Sequence, residues 1–109
     1  VDLSKLPAAP VRPPRKPLKW VAAKKGEKLK KSVSGANISV EFVNKSSRRV
    51  KLYWISYGGE RTLYGQIDPG KSRDQNTYSG NTWLITDAND KALGHFFTGS
   101  EDAIALIPK

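Results

Sequence analysis

Residues 50–88 read VKLYWISYGGERTLYGQIDPGKSRDQNTYSGNTWLITDA, and the fold is decided there. Val50, Leu52 and Trp54 alternate with Lys51 and Tyr53, the period of two that sends successive side chains to opposite faces of a strand. Gly58-Gly59 closes that run. Asp68-Pro69-Gly70 and Ser79-Gly80-Asn81 then separate residues 62–67, Ser72–Tyr78 and Thr82–Thr86 as three further strands. Four aromatics, Trp54, Tyr64, Tyr78 and Trp83, recur among these turns at short spacing, as the side chains of a binding face would.

Working outward, Ile38, Val40 and Phe42 alternate with Ser39 and Glu41 in a strand that ends at the turn Asn44-Lys45-Ser46-Ser47. Beyond the central stretch, Ala88-Asn89-Asp90 and Thr98-Gly99-Ser100 set off Ala92–Phe97 and Ala103–Ile107. Seven short strands with regular turn signals predict an all-β fold, a seven-stranded antiparallel β-sandwich over residues 37–109. A body of that size buries a small core, so its stability is expected to be modest unless a partner adds to it.

Residues 1–36 differ in kind. They hold ten Lys or Arg against Asp2 and Glu27, a net charge of +8, whereas residues 37–109 carry +1. Pro7, Pro10, Pro13, Pro14 and Pro17 remove backbone donors and favour extended geometry, so no helix or central strand is expected before residue 18. Trp20, Val21 and Leu29 are the large apolar anchors of residues 19–36. The segment therefore reads as an extended basic, Pro-rich N-terminal arm. It is either a solvated leader or an arm laid along a partner through Trp20, Arg12, Arg15 and Lys16.

The chemistry points away from catalysis. His95 is the single histidine, cysteine is absent, and no Ser, His and acid set has a catalytic spacing. His95 reads as a strand residue beside Phe96, and the carboxylates Asp87, Asp90, Glu101 and Asp102 as turn residues that bond their own backbone. No catalytic residue, metal site or cofactor is expected, and no apolar run approaches the roughly 18 residues of a membrane span. The triplets Asn37-Ile38-Ser39 and Asn44-Lys45-Ser46 read as strand and turn, not as glycosylation acceptors.

From Asn44 to Ala88 the sequence resembles, without a gap, the β-domain of the von Hippel-Lindau tumour suppressor family. The resemblance rests on Asn44, Ser46, Arg48, Trp54, Gly59-Glu60, Tyr64, Pro69-Gly70, Arg73, Tyr78, Gly80, Trp83-Leu84 and Asp87-Ala88. It implies a sandwich fold and a reader of hydroxyproline in a transcription factor. In the family an aromatic cage is formed by residues matching Trp54, Tyr64 and Trp83, with a neighbouring tyrosine at Tyr78. The serine and histidine that bond the ring's hydroxyl there correspond to Thr77 and Asn81, which keep a hydroxyl, a donor and an acceptor. A bland reading stands beside this one: Trp54 shares its strand face with Val50 and Leu52, and strand tryptophans in a small sandwich are commonly core.

The chain stops at Lys109, with nothing corresponding to the family's helical ubiquitin-ligase docking domain. A stand-alone β-domain of bacterial type, periplasmic or secreted, is therefore expected. The function expected is a non-enzymatic protein- or peptide-binding module that engages hydroxyproline- or proline-containing segments through Trp54, Tyr64, Thr77, Tyr78, Asn81 and Trp83. The alternative is an accessory subunit held to a larger partner by its arm. A +8 tether to nucleic acid or another polyanion ranks last, since no nucleic-acid motif accompanies the charge.

Overall fold

The alternating runs become strands wherever their apolar face finds the other sheet. The computed structural model describes residues 15–109, so Arg12, Pro7, Pro10, Pro13 and Pro14 lie outside the described residues. Nine strands are present among the described residues: β1 (Lys16–Pro17), β2 (Val21–Ala22), β3 (Asn37–Asn44), β4 (Val50–Ile55), β5 (Arg61–Ile67), β6 (Ser72–Tyr78), β7 (Thr82–Thr86), β8 (Ala92–Phe97) and β9 (Ala103–Ile107). They form a four-stranded sheet ordered β1-β9-β3-β6 and a five-stranded sheet ordered β2-β8-β7-β4-β5. No helix occurs among these residues, and none is long and apolar enough to cross a membrane.

Inward residues of both sheets meet in one core. Ile38, Val40, Phe42, Ala105 and Ile107 come from the first sheet, and Val50, Leu52, Trp83, Ile85 and Phe96 from the second. Phe42 bridges the layers, its ring 5.5 Å from Trp83 and 6.1 Å from Phe96 in tilted and edge-on contacts. The turn after β3 is pinned from inside. Buried Asn44 donates through Nδ2 to the carbonyls of Arg48 (2.7 Å) and Ile67 (2.9 Å), and its Oδ1 accepts from the Ser46 amide and hydroxyl.

Two expectations need correction. The sheets are not purely antiparallel, because β9 runs parallel to both β3 and β1. Alternation reports which face a residue takes and is blind to strand direction. Nor does the basic segment stand apart: β1 and β2 bring the count to nine by extending one edge of each sheet. The Leu18 amide donates to the Ile104 carbonyl (2.8 Å), the Ala23 amide to Leu93 (3.0 Å) and the Val33 amide to Gly80 (3.0 Å). Ser32 is buried and accepts from the Thr82 amide at 3.0 Å. Residues 15–36 thus form a strap across both sheets.

On the outer face of the five-stranded sheet, Lys51 Nζ donates to Asp90 at 2.9 Å and the Tyr53 hydroxyl donates to the same carboxylate. Asp90 sits at φ 66°, a left-handed position that Asn tolerates almost as well. Its bonds from Tyr53 and Lys51 lower its pKa below the ordinary 3.8, and the bond to Asp90 followed by burial raises Tyr53 above 10.0. A lowered carboxylate stabilises above its ordinary range and loses that contribution as pH falls through its folded value. A raised phenol stabilises below its ordinary value and loses the contribution as pH rises through the folded one. The 87–91 loop is therefore expected to hold from about pH 4 to about pH 10. Asp90→Asn should return the Tyr53 titration, followed by NMR, toward the ordinary phenol value; an unchanged titration would refute the coupling.

Candidate functional site

The six residues singled out in the sequence, Trp54, Tyr64, Thr77, Tyr78, Asn81 and Trp83, line one hollow, joined by Tyr57 and Asn76. It lies where β5 and β6, an edge strand of each sheet, come together. Its volume is about 90 Å³. Sites for drug-sized ligands run to roughly 300–1,000 Å³, so this one has room for a single side chain. Larger hollows, of about 210 to 240 Å³, lie elsewhere among the described residues and hold none of these aromatics.

Each wall residue is placed by a local cause. Leu52 pairs with Gly65 but Tyr53 pairs with Leu63, so Tyr64 is the extra residue of a β-bulge. Bulges re-aim side chains, and here the tyrosine ring turns toward the cleft. Its ring stands 5.0 Å from Trp83 and 6.3 Å from Trp54, edge-on in both cases. Tyr57, in the turn that ends at Gly59 (φ 89°), packs perpendicular to Trp54 at 5.2 Å. Tyr57, Tyr64 and Tyr78 are 52%, 40% and 44% exposed, so the rim is tyrosine. Trp54 is half-buried among them.

The floor is polar and already bonded. The Trp83 indole donates to Thr77 Oγ1 at 2.9 Å, and the Trp54 indole donates to Asn81 Oδ1 at 2.7 Å. Thr77 Oγ1 donates to Asn81 Oδ1 at 3.4 Å. Asn81 Nδ2 donates to the carbonyls of Val33 (2.8 Å) and Ser79 (3.4 Å). Its backbone amide donates to Thr98 Oγ1, which donates in turn to the Tyr78 carbonyl at 2.7 Å. Asn81 thereby uses both side-chain donors and both lone pairs, and Thr77 keeps one lone pair. Thr77 and Asn81 are 3% and 0% exposed.

The structure divides the tryptophans between the two readings offered for them. Trp83, 1% exposed and against Phe42, is a core residue whose edge backs the hollow. Trp54 is part of the wall. Tyr57 and Asn76 were not foreseen; the only sign of Tyr57 was an aromatic just before Gly58-Gly59, and Asn76 had none.

The arm residues make their contacts within the chain. Arg15 Nη1 bonds Asp74 at 2.8 Å, Lys16 pairs with Glu101 at 3.2 Å, and the Trp20 ring packs 5.2 Å from Phe96. Among the described residues no cluster of three or more His, Cys, Asp or Glu could hold a metal ion.

A family model, the VHL beta domain, matches residues 29–94, a span that takes in the end of the strap, the bulged β5 and every residue of the hollow. That domain is a substrate-recognition module that binds protein. With well over half of its length matched and the aromatic hollow inside the match, the chain belongs to the VHL β-domain family.

Proposed function

We propose that the protein is a binding module whose hollow takes an uncharged ring, such as that of proline, from an extended segment of a partner protein. The observation that carries this reading is the tyrosine rim around Trp54 above a floor whose donors are all engaged. Aromatic walls suit a flat apolar ring, and a hollow one side chain deep suits a single residue of a segment running across the surface.

The saturated floor also bears on hydroxyproline. Asn81 has no donor or lone pair to give and Thr77 has one buried lone pair, so within the floor a ring hydroxyl gains at most one bond, as a donor to Thr77. Its oxygen, left without a donor in the floor, costs about 1–3 kcal/mol, which offsets that one bond. The plain ring is therefore expected to bind at least as tightly as the hydroxylated one. Isothermal titration of the full chain with matched proline and 4-hydroxyproline peptides decides the point. Tenfold tighter binding of the hydroxylated peptide would overturn the preference for the plain ring, and failure of both to bind would overturn the hollow as a ring site.

The alternative of an accessory subunit held by residues 1–36 draws less support. Arg15, Lys16 and Trp20 are already engaged with Asp74, Glu101 and Phe96 of the same chain.

A further inference from the structure

Residues 23–31 of the strap read AKKGEKLKK. The run turns at Gly26 (φ 74°), where the Glu27 amide donates to the Lys24 carbonyl at 3.1 Å. Leu29 and Glu27 are its partly buried residues. Glu27 lies 3.7 Å from His95 Nδ1, so the one carboxylate of the run faces inward. Lys24, Lys25, Lys28, Lys30 and Lys31 are exposed, and among the described residues none of them pairs with a carboxylate. Folding has sorted the run into an anchored face and a cationic one. Residues 37–109 carry only +1, so the cationic face is a local feature.

The cationic face ends beside the turn that carries Tyr57. The Lys31 stem lies against the Gly59 turn, two residues beyond Tyr57, close enough that a Cβ there would be 3.4 Å from its Cγ and Cε. Lys30 Nζ stands 5.3 Å from the ring centroid of Phe97, which is itself exposed. Two residues further on, the Val33 carbonyl accepts from Asn81 in the floor. A segment with its ring in the hollow and its chain running over the 56–60 turn is carried toward Lys31, and Lys30 beside it in sequence, within a few residues.

We infer that carboxylates of the segment that fills the hollow dock on the lysines of this strap, which makes the partner class an acidic peptide with an uncharged ring residue. The inference rests on the reading of the hollow given above. An acidic protein segment fits better than nucleic acid. The run holds no Arg, whose fork reads phosphate two-handed.

Each exposed pair should multiply affinity by a factor of about 1.5–5, so two or three carboxylates give about tenfold at low salt. The test titrates the full chain with proline peptides flanked by Asp and Glu or by Ser. The acidic peptide is expected to bind about tenfold tighter, an advantage that shrinks with added salt. Lys30→Ser with Lys31→Ser should erase that ratio while leaving the Ser-flanked affinity unchanged. Lys30→Glu with Lys31→Glu should turn the preference toward a Lys-flanked peptide. Equal binding of acidic and Ser-flanked peptides to the native chain would overturn the inference and leave the hollow standing. Failure of both peptides to bind would remove the inference together with the hollow. Tyr64→Ala supplies a further arm: acidic-peptide binding untouched by it, or displaced fully by inorganic polyphosphate, would mark a general polyanion strap and overturn the shared site.

Discussion

Cutting the chain back to residues 37–109 is expected to remove a large share of its stability, although those residues hold every long strand. The strap supplies an edge strand to each sheet, and Leu18 and Trp20 pack against the core. Truncating a fully buried large aromatic costs about 3–5 kcal/mol, so half-buried Trp20 accounts for about 2. Loss of Leu18, of the Ser32 acceptor for the Thr82 amide, and of the backbone bonds from residues 18, 23 and 33 raises the total to roughly 4–6 kcal/mol. Small domains have only about 5–15 kcal/mol in all. Thermal melts followed by circular dichroism check this, and equal melting temperatures for the full chain and residues 37–109 would contradict it. Gly94→Ala asks the same question with one atom: a Cβ there would lie 2.3 Å from the Trp20 ring, so the substitution should expel the ring and cost about as much as Trp20→Ala.

Asn81→Ala is expected to lower stability by about 3–5 kcal/mol and to abolish binding at the hollow. Asn81 is fully buried and joins the Trp54 indole, the Thr77 hydroxyl and the Val33 carbonyl. Alanine leaves the part-buried indole and carbonyl without that partner, at up to about 3 kcal/mol each, and frees the strap where it borders the hollow. Thr77→Val should be milder, at about 1–2 kcal/mol, because it keeps the shape and orphans only the Trp83 indole. Denaturant unfolding of both variants measures the difference. An Asn81→Ala chain within 1 kcal/mol of the native one would show that the floor network does not hold the site.

Much of this was legible in the sequence, and the remainder was hidden for identifiable reasons. Each of the seven expected strands exists, because alternation and turn residues are local signals. Of the eight residues that line the hollow, Trp54, Tyr64, Tyr78 and Trp83 were visible as aromatics between turns, and Thr77 and Asn81 only through the family resemblance. Lys16–Pro17 and Val21–Ala22 are too short to show a period, and proline-rich, lysine-rich composition reads as a solvated arm whether or not a sheet edge receives it. Burial of Ser32 follows from a partner fifty residues away, the Thr82 amide. The parallel pairing of β9 is likewise long-range. The inward turn of Tyr64 comes from a bulge, and the saturation of Asn81 comes from three segments meeting; neither leaves a mark in local pattern.

The three tryptophans allow the central claim to be tested in one spectrum. Each indole N–H gives its own signal, and they report different places: Trp54 in the wall of the hollow, Trp83 behind it against the core, and Trp20 in the strap against Phe96. Titrating the labelled full chain with a proline-containing acidic peptide should move the Trp54 indole signal and the rings of Tyr57, Tyr64 and Tyr78 while Trp20 stays in place. A peptide that binds while Trp54 and the three tyrosines keep their positions would place recognition somewhere other than the hollow and contradict the account.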